Sequence, residues 1–145
     1  MIGLIQRVTG AEVSVAGERI ARIGEGLLVL VGVQRDDGPA EAVRLAERIL
    51  GYRVFPDEDG RMNRSLLDIG GGLLLVPQFT LAADTRKGTR ASFTRAAPPE
   101  SGAEGFERLV EACRAGVPDA CTGRFGADMQ VKLVNDGPVT FWLES

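Results

Sequence analysis

Apolar and polar positions alternate near both ends of the chain and give way to unbroken apolar runs in its middle. Residues 1–8 and 11–15 read as two strands, the second placing Ala11, Val13 and Val15 against Glu12 and Ser14, and the pair predicts a hairpin. Residues 18–23 form a third strand. After Gly24, Glu25 and Gly26 comes the run 27–33, whose lack of alternation predicts a central strand covered on both faces. A helix follows Asp37, Gly38 and Pro39: Ala42, Leu45, Ala46, Ile49 and Leu50 recur at helical spacing, and Gly51 ends the pattern.

Residues 52–55 predict a short strand, 56–60 a turn-rich loop and 63–68 a single helical turn. A second buried strand is expected over 73–81, delivering its last residues to a polar loop at 83–88. Ala103, Phe106, Leu109, Val110 and Cys113 mark a second amphipathic helix over 100–114, closed by Gly116 and Pro118. The chain finishes with alternation over 129–133, turn chemistry at 135–138 and a strand over 139–143. No internal repeat is visible. This order predicts one mixed α/β domain over residues 1–145, with two main helices packed on curved, largely antiparallel sheets.

Composition narrows the chemistry. The 145 residues are 44% hydrophobic and 26% charged, the balance of a globular chain able to bury a core. No apolar run approaches the roughly 20 residues needed to span a bilayer, and the start of the chain lacks the form of a signal peptide, so a cytoplasmic location without membrane partners is expected. Histidine is absent, which removes every mechanism that uses imidazole as base or ligand. Cys113 and Cys121 match no zinc spacing and are expected to be small buried hydrophobes, so neither metal nor cofactor is expected.

A net charge of -3 disfavours a wholly basic nucleic-acid surface. Arg86, Lys87, Arg90 and Arg95 nevertheless gather four positive charges within ten residues, a segment that could hold a few phosphates or be a solvated loop.

Two motifs interrupt the apolar pattern. In Pro77-Gln78-Phe79-Thr80-Leu81 an apolar strand offers an amide and a hydroxyl. On spacing alone the threonine reads as an ordinary strand residue. In Asn135-Asp136-Gly137-Pro138-Val139-Thr140, glycine permits a close backbone approach and proline after it can be cis, while a plain Asp-Gly hairpin turn explains the spacing equally well.

At these two places the chain closely resembles the D-aminoacyl-tRNA deacylase family, and the resemblance extends to residues 1–8, 26–30, 51–55 and 122–129. It implies a homodimeric enzyme, without cofactor, that cleaves D-amino acids from the terminal adenosine of aminoacyl-tRNA, with glycine as a further substrate. It also implies that the backbone around Gln78, Phe79 and Thr80 receives the substrate carbonyl. Thr80 is then either the nucleophile or a bystander to the 2′-hydroxyl of the adenosine. An unassisted threonine hydroxyl is a poor nucleophile, and no lysine or histidine neighbours Thr80 in sequence, which favours the second route.

The resemblance further implies that Gly137-Pro138 is cis and reaches into the partner's pocket to exclude L side chains, with Asn135 beside it. Arg86, Lys87, Arg90 and Arg95, the densest basic segment of an acidic chain, are expected to contact the tRNA end electrostatically. Two departures stand out. Pro77 replaces a serine common in the family and resembles instead a related branch acting on L-alanyl-tRNA; Ala91 replaces a common proline. Ordinary small-ester hydrolases are disfavoured by the missing Gly-x-Ser-x-Gly elbow, and a base-stacking RNA-binding module by the scarcity of aromatics.

Overall fold

The computed structural model describes residues 1–145. Its first element is one strand, β1 (Ile2–Val15), where a hairpin of two was expected. Thr9 and Gly10 do not form a turn. They lie at an irregularity where the register to the last strand shifts, so the strand bends and continues. The hairpin partner of residues 11–15 is β2 (Glu18–Ile23), joined through Ala16 and Gly17, both at positive φ.

β3 (Gly26–Gly32) pairs antiparallel with the first half of β1, from Ile2 opposite Gly32 to Val8 opposite Gly26. β8 (Met129–Glu144) pairs antiparallel along nearly all of β1, so β2 and β3 share one edge of β1 and β8 takes the other. On the far side of β3, β6 (Gly72–Pro77) runs parallel, and β7 (Cys121–Thr122) runs parallel to β6. The sheet is therefore mixed, with two parallel pairings at one side of a largely antiparallel set. A short antiparallel pair, β4 (Phe55–Pro56) and β5 (Met62–Arg64), stands apart. It begins at the last residue of the strand expected over 52–55. The helical turn anticipated at 63–68 starts later, as α2 (Leu66–Ile69), because Ser65 caps it: the Asp68 N–H donates to the Ser65 hydroxyl and the Ser65 N–H to the Asp68 carboxylate.

The two predicted helices are α1 (Pro39–Gly51) and α3 (Pro99–Arg114). Pro39 opens α1 where its missing donor costs nothing, and the Gly38 N–H donates to the Glu41 carboxylate at 2.8 Å. The helices pack on one another and on one face of β3 and β6, where Leu27, Val29, Leu73 and Leu75 meet Leu45, Ile49, Phe106 and Leu109. Each such side chain, fully buried, contributes about 1.5–3 kcal/mol. Leu28, Leu74 and Val76 point to the opposite face and are covered by Val8, Val13 and Ile23 from the curled strands β1 and β2, closing a second apolar cluster. Unbroken apolar runs at 27–33 and 73–77 follow directly from this two-sided burial. Cys113 is buried, as expected, and burial pushes its thiol up to about 12. Cys121 is only partly buried, a departure from expectation that follows from its place on the two-residue edge strand β7. No helix is long and apolar enough to cross a membrane.

Candidate functional site

The strand expected to run through residue 81 stops at Pro77. Opposite it β3 is ending, with Pro77 paired to Val31, and proline offers no N–H to extend a ladder. The Gln78 N–H still donates to the Val31 carbonyl at 2.7 Å, after which the chain folds into a 3-10 turn, Phe79–Ala82. The turn lies on the end of β3: a Cβ on Gly32 would stand 3.0 Å from the Leu81 Cβ and 3.3 Å from the Gln78 carbonyl oxygen. Glycine at 32 is thus what lets the turn seat. The first N–H groups of such a turn, those of Phe79 and Thr80, have no partner within it.

This turn borders a cleft of about 750 Å³ at the open end of the second apolar cluster. The cleft is lined by Leu30 and Val76 from the sheet, Gln78 and Phe79 at the turn, and Phe125 and Met129. Phe79, 54% exposed, packs its ring against Phe93 with centroids 5.2 Å apart and planes tilted by 52°. The Thr80 hydroxyl donates to the Gln78 side-chain oxygen at 2.6 Å. An amide oxygen is not a base, so this contact orients the hydroxyl without activating it.

The second motif does not form the hairpin turn that its spacing allowed. It is an excursion inside β8. Gln6 pairs with Thr140 and Val8 with Asn135, so residues 136–139 all stand against Arg7 alone. Asn135 staples the excursion, donating from Nδ2 to the Thr140 hydroxyl at 2.8 Å and accepting the Val139 N–H at 3.1 Å. Arg7, whose side chain is 14% exposed, donates from Nε to the Asp136 carbonyl oxygen at 3.1 Å and from Nη1 to the Val54 carbonyl oxygen at 2.7 Å. The Gly137-Pro138 bond is cis and Gly137 has φ of 130°. A Cβ at 137 would stand 2.7 Å from Val139 Cγ2 and 3.1 Å from the Val139 nitrogen.

Within one chain the two motifs are not brought together. Pro77 lies level with Val31, which faces Gly3 on β1, whereas the excursion faces Arg7, further along the same strand. Of the basic segment, Arg86 is already engaged: it grips the Asp84 carboxylate with hydrogen bonds of 2.9 and 2.5 Å, and that contact holds the Asp84 carboxyl well below the usual range. Lys87, Arg90 and Arg95 are exposed and form no ion pair. Arg7, Arg35, Phe93 and Asp128, which the sequence did not single out, belong to the excursion or the cleft.

The chain thus combines a mixed sheet backed by two helices with a 3-10 turn bordering a largely apolar cleft, in a sequence that holds no imidazole. Residues 4–144 match the family model described as D-Tyr-tRNA(Tyr) deacylase, and the chain belongs to that family of ester hydrolases. The D-aminoacyl-tRNA deacylase of Alkalilimnicola ehrlichii is 69% identical over 146 residues, covering 100% of this chain and 97% of its own. That of Thioalkalivibrio sulfidiphilus is 66% identical over 145 residues, covering 99% and 97%. The solved c-Myc DNA Unwinding Element Binding Protein superposes with a TM-score of 0.96 at 40% identity, over 100% of this chain and 99% of that one. A probable eukaryotic D-amino acid tRNA deacylase shares the fold, with a TM-score of 0.84 at 17% identity over 99% and 98% of the two chains. The activity that accompanies this membership is D-aminoacyl-tRNA deacylation.

Proposed function

We propose that the enzyme is a homodimer in which the 136–139 excursion of each subunit enters the cleft of the other and excludes L-aminoacyl esters, leaving D-aminoacyl and glycyl esters as substrates. The observation that carries this reading is the separation of the two motifs along β1, combined with the bracing of the excursion by Arg7 and Asn135 away from its own cleft. A segment held this firmly and presented outward fits a role toward a second copy. Rejection by backbone is indifferent to the identity of the L side chain, and glycine has no side chain to reject.

In the reaction, the ester carbonyl lies against the N–H groups of Phe79 and Thr80, which stabilise the developing oxyanion. One such donor contributes about a hundred- to a thousandfold. The Gln78 amide orients the Thr80 hydroxyl, which has no base to deprotonate it, so the adenosine 2′-hydroxyl is the better placed assistant. Asn135, Gly137 and Pro138 shape the substrate's Cα environment. Lys87, Arg90 and Arg95 meet the acceptor end of tRNA, with Arg86 joining them only at the expense of Asp84. The test is release of amino acid from D-Tyr-tRNA, L-Tyr-tRNA and Gly-tRNA alongside sedimentation. The expected result is a dimer that hydrolyses the first and third and spares the second.

A further inference from the structure

We propose that Arg35 is a phosphate-binding residue, which takes the 5′-phosphate of the substrate's terminal adenosine at the mouth of the cleft. This rests on the deacylase reading and adds to it a subsite for an anion. Among the groups lining the cleft, Arg35 is the one cation and Asp128 the one carboxylate, the remainder being apolar or amide. The basic segment 86–95, singled out from composition, places none of its four charges in that lining.

The placement of Arg35 is built by the fold. It follows β3 directly, and its backbone N–H donates to the Arg95 carbonyl at 3.0 Å while Ala97 donates to Val33 at 3.0 Å. These contacts tie the 92–97 segment to the end of β3. The Arg35 Nε then donates to the Thr94 carbonyl oxygen at 3.1 Å. Nε is thereby occupied and the guanidinium plane oriented, while Nη1 and Nη2 make no hydrogen bond within the chain. No carboxylate forms an ion pair with Arg35. A guanidinium with a fixed stem and a free outer pair of nitrogens presents the fork that matches two oxygens of a phosphate.

The chemistry of the substrate supplies that phosphate. An aminoacyl ester at the adenosine ribose carries a phosphodiester on the same sugar, a few bonds from the scissile carbonyl. With the ester held at Phe79 and Thr80 on one rim, the phosphate must leave the cleft at its mouth, and Arg35 lines the same cleft. Arg35 also lines a neighbouring polar depression, where Asp36, Asp37 and Glu41 offset Arg95 and the N-terminal ammonium, so the contact proposed for the phosphate is confined to Arg35 at the cleft itself.

The experiment is inhibition of D-Tyr-tRNA hydrolysis by adenosine and by adenosine 5′-phosphate, for the native enzyme, Arg35→Gln, Arg35→Lys and, as a control on the helix side of the sheet, Arg44→Gln. Native enzyme and the Arg44 variant are expected to bind the phosphorylated compound at least about tenfold more tightly, as one charge-assisted contact provides. Arg35→Gln should bring the two inhibition constants together by weakening the phosphate compound alone, and Arg35→Lys should retain part of the preference. Equal weakening of both compounds in Arg35→Gln, or no preference in the native enzyme, would overturn the proposal. Failure of the native enzyme to release D-tyrosine at all would instead count against the deacylase reading, and is visible before any inhibitor is added.

Discussion

Arg7 and Asp136, 129 positions apart in the sequence, meet through a hydrogen bond of 3.1 Å from the Arg7 Nε to the Asp136 carbonyl oxygen. Because Arg7 also reaches the Val54 carbonyl at 2.7 Å, one side chain ties the Gly137-Pro138 excursion to the short strand pair beside it. Charge-assisted hydrogen bonds of this kind are each worth about 1.5–3 kcal/mol. Arg7→Ala is therefore expected to lower D-Tyr-tRNA hydrolysis by at least about tenfold and to lower Tm by several degrees, whereas Arg7→Lys, which lacks the planar fork, should recover stability better than activity. Steady-state kinetics and thermal unfolding of both variants check this; an Arg7→Ala enzyme with native kinetics would remove the tether's functional role.

Gly137 has a φ of 130° and no room for a Cβ, with Val139 Cγ2 only 2.7 Å from where it would stand. Alanine at this position must displace the excursion. Gly137→Ala is expected to remain folded, since the clash is confined to an exposed loop, while losing at least about tenfold in D-Tyr-tRNA hydrolysis or beginning to accept L-Tyr-tRNA. Circular dichroism and hydrolysis of the two diastereomeric substrates distinguish these outcomes from simple unfolding.

The Thr80 hydroxyl donates to the Gln78 amide oxygen and has no basic neighbour along its turn. Thr80→Ala keeps both backbone donors and is expected to retain measurable deacylation, losing about one to two powers of ten at most, where removal of a true nucleophile costs far more. Mass spectrometry of quenched native enzyme should find no aminoacyl adduct at residue 80. An adduct there, or an inactive Thr80→Ala, would assign the attack to the threonine.

Asp84 holds Arg86, and the same contact depresses the Asp84 carboxyl. A depressed carboxyl contributes its stabilising pairing above its unfolded value and loses it as pH falls through the folded one. Arg86 is accordingly neutralised throughout the neutral range. Asp84→Asn frees it, and is expected to strengthen tRNA binding at low salt and to steepen the salt dependence by about one ion, while Arg86→Gln leaves the Asp84 carboxylate unpaired and should weaken binding. Filter binding across a salt series reads the slope directly.

Much of this architecture was legible in the chain. Helices α1 and α3 follow from Leu45, Ile49, Phe106 and Leu109 at helical spacing, with Pro39 and Gly51 as boundaries, because their apolar stripes face one core. Strands β3 and β6 were legible because both of their faces are buried. What the pattern did not disclose was set by partners distant in sequence. The register of β1 against β8 turns a turn-like 135–138 into an excursion facing Arg7, and the end of β3 converts the last residues of a predicted strand into the 3-10 turn that bears Phe79 and Thr80. Arg7 had one local signal, as the sole charged side chain among residues 1–8. Arg35 had none, since its role depends on the Thr94 carbonyl and on the cleft it borders.

The homodimer with an exchanged excursion is tested most directly by subunit complementation. Phe79→Pro deletes one cleft donor at a turn position that tolerates proline, and Gly137→Ala spoils the excursion. Each variant alone should sediment as a dimer and lack native D-selective hydrolysis, Phe79→Pro by near-inactivity and Gly137→Ala by a loss of at least about tenfold on D-Tyr-tRNA or by accepting L-Tyr-tRNA. After the two are unfolded together and refolded, half the dimers are mixed, and one of their two sites combines an intact turn with an intact partner excursion, so about a quarter of native activity should return. Recovery near that level, with native D-over-L selectivity, is the expected result. No recovery from folded, mixed dimers, or full selectivity in a monomer, would contradict an excursion that serves the neighbouring subunit.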